Sequence, residues 1–283
     1  MQIVKNIIDL KNTLKSSKKE EKKIGLVPTM GSLHEGHLSL IKAAFKSCNE
    51  VWVTIFINPT QFNDPKDFEC YPKDFENDIN TINSISNKIN LFIPESINEI
   101  YQDDITVDEF ELGFVNKVLE AKSRPGHFDG VATIINKLFN IFLPQVVFFG
   151  EKDFQQTLVI RNLIDSFFPN ISLVICPTVR NENGLALSSR NKLLSANSYK
   201  HCGIIFDCLL FAKKNYLKID FPDLLSKIKS KIEKINDFNL EYFEIRDEIT
   251  LEPFGKSNDE GRFRGFICVK VEGVRLIDNL LLD

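Results

Sequence analysis

The chain has 283 residues, 43% hydrophobic and 26% charged, which suits one large or two smaller globular domains and excludes wholesale disorder. Thirty-five Lys and Arg against 39 Asp and Glu leave a net charge of −4. That excludes a globally basic nucleic-acid binder, so any phosphate site has to be built locally.

The predicted elements begin with a solvated helix end at 18–23 (KKEEKK) and a short apolar strand at 24–28. Leu38, Ile41, Phe45 and Cys48 then recur at helical spacing. The run 51–57, VWVTIFI, lacks polar alternation and suits a strand buried on both faces. A helix at 74–85 precedes a strand at 91–93; a helix at 131–142 precedes a strand at 146–149; a helix at 155–168 precedes a strand at 173–176. This order predicts a Rossmann-like α/β domain over 1–176, a doubly wound parallel sheet with helices on both faces. After residue 176 come two helical stretches, 199–216 and 222–236, and strands near 242–245, 265–271 and 275–277. Asn258-Asp259-Glu260-Gly261 marks a turn among them. A smaller α+β domain is therefore expected over 177–283.

Two further features bear on location. No window reaches about 18 uninterrupted apolar residues, and the N-terminus lacks the apolar core and cleavage site of a secretory signal. Six cysteines, Cys48, Cys70, Cys176, Cys202, Cys208 and Cys268, form no C-x-x-C pair. They read as small buried hydrophobes in a reducing compartment, so a cytoplasmic protein without membrane or nucleic-acid partners is expected.

The chemistry concentrates where strands end. Pro28-Thr29-Met30-Gly31-Ser32-Leu33-His34-Glu35-Gly36-His37 follows the first predicted strand and opens a helix. In an open parallel sheet ligands bind at such carboxyl ends, and a helix N-terminus favours phosphate. His34 and His37 share one helix face and can donate to phosphate oxygens. The same spacing also suits a metal pair or two ordinary helix-start histidines. Neither the P-loop nor the dinucleotide glycine pattern is present.

Three more segments repeat this placement. Asn58-Pro59-Thr60-Gln61-Phe62 follows VWVTIFI, and the Gln61 amide both donates and accepts. Gly150-Glu151-Lys152-Asp153-Phe154-Gln155-Gln156 follows the strand at 146–149; Gly150 permits close backbone approach and Lys152 is a point charge for phosphate. In Val179-Arg180-Asn181-Glu182-Asn183-Gly184-Leu185-Ala186-Leu187-Ser188-Ser189-Arg190, the serines offer hydroxyls and Arg190 a planar fork, although Ser-Ser-Arg taken alone also reads as a helix cap.

H-x-G-H after a first strand resembles the nucleotidyltransferase superfamily. The longer PTMGSLHEGH, with NPTQF, GEKDFQQ and the Ser-Ser-Arg segment, resembles the pantoate–β-alanine ligase family. The resemblance implies an ATP-dependent ligase that condenses pantoate with β-alanine to pantothenate through a pantoyl adenylate, releasing pyrophosphate and AMP. It assigns residues 30–37, 150–153, Val179 and 187–190 to ATP, with Mg²⁺ carried on the phosphates. His34, His37, Lys152, Ser188, Ser189 and Arg190 take the catalytic roles, Gln61 binds pantoate and the incoming β-alanine, and Gln156 binds pantoate. It also implies a homodimer and a C-terminal domain that acts as a lid.

Leu119-Glu120 and Ser123-Arg124-Pro125-Gly126-His127-Phe128 match the family pattern too, except that Ala121-Lys122 replaces a usual glycine after Leu-Glu. Tyr71-Pro72 and Asp78 fit its segment near the phosphates, and Ile245-Arg246-Asp247 and Leu276-Ile277-Asp278-Asn279 extend the match thinly to the end. Another H-x-G-H nucleotidyltransferase would share the first motif without NPTQF and GEKDFQQ together. A non-catalytic nucleotide-binding protein would release no pyrophosphate.

Overall fold

The computed structural model describes residues 1–102, 104–255 and 261–283. The strands are β1 Ile3–Val4, β2 Ile24–Thr29, β3 Glu50–Ile55, β4 Asn90–Phe92, β5 Val146–Gly150, β6 Ser172–Cys176, β7 Phe238–Asp247, β8 Phe263–Val271 and β9 Val274–Leu281. The α-helices are α1 Ile7–Lys19, α2 Glu35–Ser47, α3 Pro65–Glu69, α4 Phe75–Ile85, α5 Asn98–Tyr101, α6 Glu120–Ser123, α7 His127–Phe142, α8 Phe154–Phe167, α9 Ala196–His201, α10 Ile204–Asn215 and α11 Phe221–Glu233. The chain divides into two compact units. One comprises Met1–Asn116, Ala121–Glu151 and Gln155–Pro177; the other comprises Lys117–Glu120, Lys152–Phe154 and Thr178–Asp283.

The first unit is built on a parallel sheet in the order β1-β4-β3-β2-β5-β6. Its strands send successive side chains into two different cores. Leu26, Trp52, Phe92, Val147 and Phe149 join one, with Leu10 and Leu14 of α1 and Phe139 and Phe142 of α7. Val27, Val53, Leu91 and Phe148 join the other, with Leu38 and Ile41 of α2 and Ile82 of α4. Because both faces are covered, VWVTIFI carries no polar alternation. The chain runs β2 to β3 in one direction along the sheet and later places β5 on the other side of β2. The order therefore reverses between β2 and β5, which is where open sheets leave a crevice at their carboxyl ends.

The structure adds β1, which pairs in parallel with β4, Ile3 opposite Leu91 and Val4 opposite Phe92. Two residues are too few for a periodic signal, so the first strand expected from the sequence is the second in the chain. The expected solvated end at 18–23 is there: α1 stops at Lys19, with Lys18 and Lys19 exposed.

The second unit is an antiparallel sheet, β7-β8-β9, covered by α10 and α11. Phe243, Ile245, Ile267 and Val269 pack with Leu209, Ile228 and Ile232. The sequence predicts one helix over 199–216, but the structure has two, α9 and α10, broken at Cys202-Gly203. A Cβ on Gly203 would lie 2.1 Å from the Asn183 carbonyl oxygen, so the break admits that backbone. The β8–β9 turn, Glu272-Gly273, has positive φ at both positions, as a two-residue hairpin requires. Of the expected turn at 258–261, Asn258, Asp259 and Glu260 lie outside the described residues.

Candidate active site

The carboxyl end of β2 leads into a tight turn. Gly31 and Ser32 both take positive φ. The Ser32 and Leu33 N–H groups donate to Oδ2 and Oδ1 of Asp78, at 2.8 and 2.7 Å. Asp78 is fully buried at the start of α4, and two backbone donors hold its carboxylate. The structure thus makes Asp78 the anchor of this turn. Ser32 and Leu33 are themselves buried, and their N–H groups are committed to Asp78. Met30 is half-buried and Glu35 exposed, 3.8 Å from Lys42.

The turn delivers the two histidines. His34 is the N-cap of α2: its Nδ1 accepts from the Gly36 N–H at 3.1 Å. His37 reciprocates, its Nδ1 accepting from the His34 N–H at 3.3 Å. This is a capping box with imidazoles in place of the usual hydroxyl and carboxylate. The rings sit 4.1 Å apart between centroids. With Nδ1 accepting, each neutral ring carries its proton on Nε2, so both are set as Nε2–H donors at the positive end of a helix. The glycine between them has a steric cause: a Cβ on Gly36 would lie 2.8 Å from His34 Cε1 and 2.9 Å from Nδ1.

The end of β3 carries the second constellation. Asn58 is buried; its Nδ2 donates to Gly130 O at 3.1 Å and to Gln61 Oε1 at 3.2 Å. Its Oδ1 accepts from the Tyr101 hydroxyl at 2.6 Å and from Thr60 at 3.0 Å. Burial pushes the Tyr101 phenol up to about 12, so it stays a donor. His127 Nδ1 donates to Gln61 O at 2.8 Å, while Nε2 faces the Arg124 guanidinium at 3.0 Å. The first turn of α7 packs on this segment so closely that a Cβ on Gly130 would lie 2.2 Å from Thr60 O. Gln61 is thereby pinned by both its main chain and its amide. A cavity of about 380 Å³ lies alongside, lined by Thr60, Phe62, Asn63, Asp108, His127 and Asp129 among others.

β5 ends at half-buried Gly150, next to half-buried Glu151. Of the two glutamines beyond, Gln155 is buried and donates to Val115 O at 2.8 Å. Gln156, expected at pantoate, is half-buried on the first turn of α8.

Lys152, Asp153 and Phe154 belong to the second unit. Lys152 Nζ lies 3.1 Å from Asp153 Oδ1, and Lys152 O accepts from Asn279 Nδ2 at 2.8 Å. Arg264 lies over the Phe154 ring at 3.9 Å. The segment 178–187 folds back on itself: Arg180 bridges Ala186, and Leu187 N donates to Val179 O at 3.0 Å. Arg180 forms a two-pronged pair with Asp278, at 2.5 and 2.9 Å. Burial pushes the Asp278 carboxyl up, and the Arg180 guanidinium draws it back. Ser188 caps the turn Ser189–Leu193: its Oγ accepts from Arg190 N, and its N–H donates to Asn191 Oδ1. Ser188 is thus the cap that the sequence left open. Ser189 is buried, and Val179, Leu187 and Arg190 are half-buried.

The Leu-Glu segment joins the second unit as well. Glu120 pairs with Arg275 at 2.8 Å through both oxygens and accepts from the Tyr242 hydroxyl at 2.9 Å. The Ala121-Lys122 departure is accommodated: the left-handed residue here is Leu119, and Ala121 has ordinary helical backbone. Sequence reasoning missed Asn58, Tyr101 and Gly130. Asn58 stands in a motif already quoted, whereas Tyr101 has no local signal. Among the described residues no group of three or more His, Cys, Asp or Glu is placed to hold a metal, and no helix is long and apolar enough to cross a membrane.

Comparison with known proteins agrees over the whole length. The family model for pantoate–β-alanine ligase matches residues 2–281. The pantothenate synthetase of Flavobacterium psychrophilum is 40% identical over all of both chains, and that of Christiangramia forsetii 39% over all of both. A crystal structure of the Thermus thermophilus pantothenate synthetase superposes with a TM-score of 0.89 at 33% identity, covering 100% of this chain and 99% of that one. The Francisella tularensis ligase, solved with β,γ-ATP and β-alanine, gives 0.81 at 36%, covering 100% and 98%. With the Rossmann-like sheet and the H-x-G-H turn in place, these likenesses establish that the chain belongs to the pantoate–β-alanine ligase family.

Proposed function

We propose that the chain carries out its family's reaction in two steps, with the residues above in specific roles. The pantoate carboxylate attacks the α-phosphorus of ATP, forming pantoyl adenylate and releasing pyrophosphate. The β-alanine amine then attacks the acyl carbon, loses a proton and expels AMP. Activation is the physical need: a carboxylate has no leaving group, and the mixed anhydride supplies AMP as one.

No covalent protein nucleophile is required. The first step needs alignment and neutralisation of charge. The observation that carries the reading is the mutually capped His34–His37 pair, whose rings are held in place before ATP arrives. Donors held in place where charge develops lower the barrier without reorganising. Residues 30–37 and Gly150–Asp153 receive the nucleotide, and the Val179 backbone meets adenine. Lys152 and Leu187–Arg190 address the triphosphate, with Mg²⁺ entering as part of the ATP substrate on its phosphates. Gln61 and Gln156 hold pantoate and set the amine's approach. In this reading the domains divide near residue 176, the second serves as a lid, and the enzyme works as a cytoplasmic homodimer.

The test is pantoate-dependent pyrophosphate release from ATP, with and without β-alanine. Multiple turnovers with both substrates, yielding AMP, and one burst per site with pantoate alone are expected. ATP binding without pyrophosphate release under either condition overturns the assignment.

A further inference from the structure

The strand β9 contains the dipeptide Asp278-Asn279, which the reaction above leaves without a role. Both side chains are buried. The dipeptide lies in a regular ladder, Asp278 opposite Ile267 and Asn279 opposite Phe266. A pleated strand turns successive side chains to opposite sides, so one dipeptide can serve two segments. Asn279 serves the Lys152 segment: Nδ2 donates to Lys152 O at 2.8 Å, and Oδ1 accepts from Arg264 Nη1 at 2.5 Å. Arg264 in turn lies over the Phe154 ring and pairs with Glu248 at 2.8 Å. Asp278 serves the other segment, holding Arg180 in a two-pronged pair. Arg180 also donates to Gly184 O at 3.1 Å and stacks on Phe206 at 3.8 Å, fixing the hairpin that leads into Ser188–Arg190.

We infer that Asp278 and Asn279 are positioning residues for adenylation: they hold Lys152 by its main chain and Ser188–Arg190 through Arg180, so the groups that meet the triphosphate keep one fixed spacing. The inference rests on the phosphate role proposed for Lys152. Its geometric content is that Lys152 is carried by β9, although it follows β5 in the chain.

The informative substitution is Asn279→Asp, which keeps an acceptor for Arg264 but sets a carboxylate oxygen against the Lys152 carbonyl. Two half-reactions are measured on the full chain: pyrophosphate release from ATP and pantoate, and aminolysis of chemically prepared pantoyl adenylate by β-alanine. A misplaced phosphate group slows the first by about 10- to 100-fold and leaves the second within about 2-fold. Lys152→Ala shows the same pattern, and Lys152→Ala/Asn279→Asp is no slower than Lys152→Ala alone. Asn279→Ala carries the same test if the aspartate variant fails to fold. Equal losses in both half-reactions, no loss in either, or losses that multiply in the double variant overturn the inference. If Lys152→Ala leaves pyrophosphate release intact, the role of Lys152 falls and the inference with it, while wild-type turnover still decides the ligase assignment.

Discussion

The His34–His37 pair and Lys152 are organised over very different stretches of chain. His34 and His37 are three positions apart and hold each other through the first turn of α2. Lys152 is held by Asn279, 127 positions away, and Arg180 by Asp278, 98 positions away. The first arrangement is a property of a ten-residue motif laid over a buried carboxylate. The second exists only once β9 has closed its sheet. A local device fails through the chemistry of its own residues, and a long-range device through the loss of the pairs that tie its distant segments together.

The largest expected effect tests the local device. His37→Ala removes one preset donor and should cut turnover by about 10²- to 10³-fold, with little change in pantoate binding. Rapid-quench turnover together with equilibrium binding checks this; a raised KM at unchanged kcat would contradict the role. The long-range device should show in stability as well. Arg180→Leu leaves Asp278 buried without its partner and should cost about 3 kcal/mol, read from urea denaturation.

A smaller effect separates geometry from stability within the local device. Gly36→Ala should improve helix propensity yet push the His34 ring away, because the new Cβ would lie 2.8 Å from it. Turnover is expected to fall about 10-fold at a nearly unchanged melting temperature. A variant that keeps full turnover would show that the ring packing is dispensable.

The smallest effect concerns Asp247, in the Ile245-Arg246-Asp247 segment. Burial pushes its carboxyl up, but donors from Thr250 N, Ile249 N and Thr250 Oγ1 outweigh this and leave it below the usual range. A depressed carboxyl contributes stability above its unfolded value and loses it as pH falls through the folded value. Asp247→Asn should therefore cost about 1 kcal/mol near neutrality. The difference from wild type should shrink below about pH 4, the ordinary aspartate value. A gap that persists at about pH 2 would contradict this.

The same segment shows where sequence reading stops. Its match to the family is visible, but its role as a turn anchor depends on donors that the 248–250 backbone presents only when folded. Asp78 is similar. The resemblance assigns it to a segment expected near the phosphates, and the fold adds that both its oxygens accept from the Ser32 and Leu33 amides. Tyr101 lies in a four-residue helix with no periodic signal, and only packing brings it to Asn58.

By itself the sequence determined the parallel α/β class, the order of the motifs, the strand ends that carry them and the histidine pair. These follow from short-range rules: apolar periodicity, helix capping and turn chemistry act over a few residues. Tertiary structure decided which buried polar groups anchor the site. Asp78 under the H-x-G-H turn, the Asn58–Tyr101–Gly130 brace and the Asp278-Asn279 hold on Lys152 and Arg180 all join distant segments. Buried polar atoms must find partners, and which partners they find is set by how the strands and helices close upon one another.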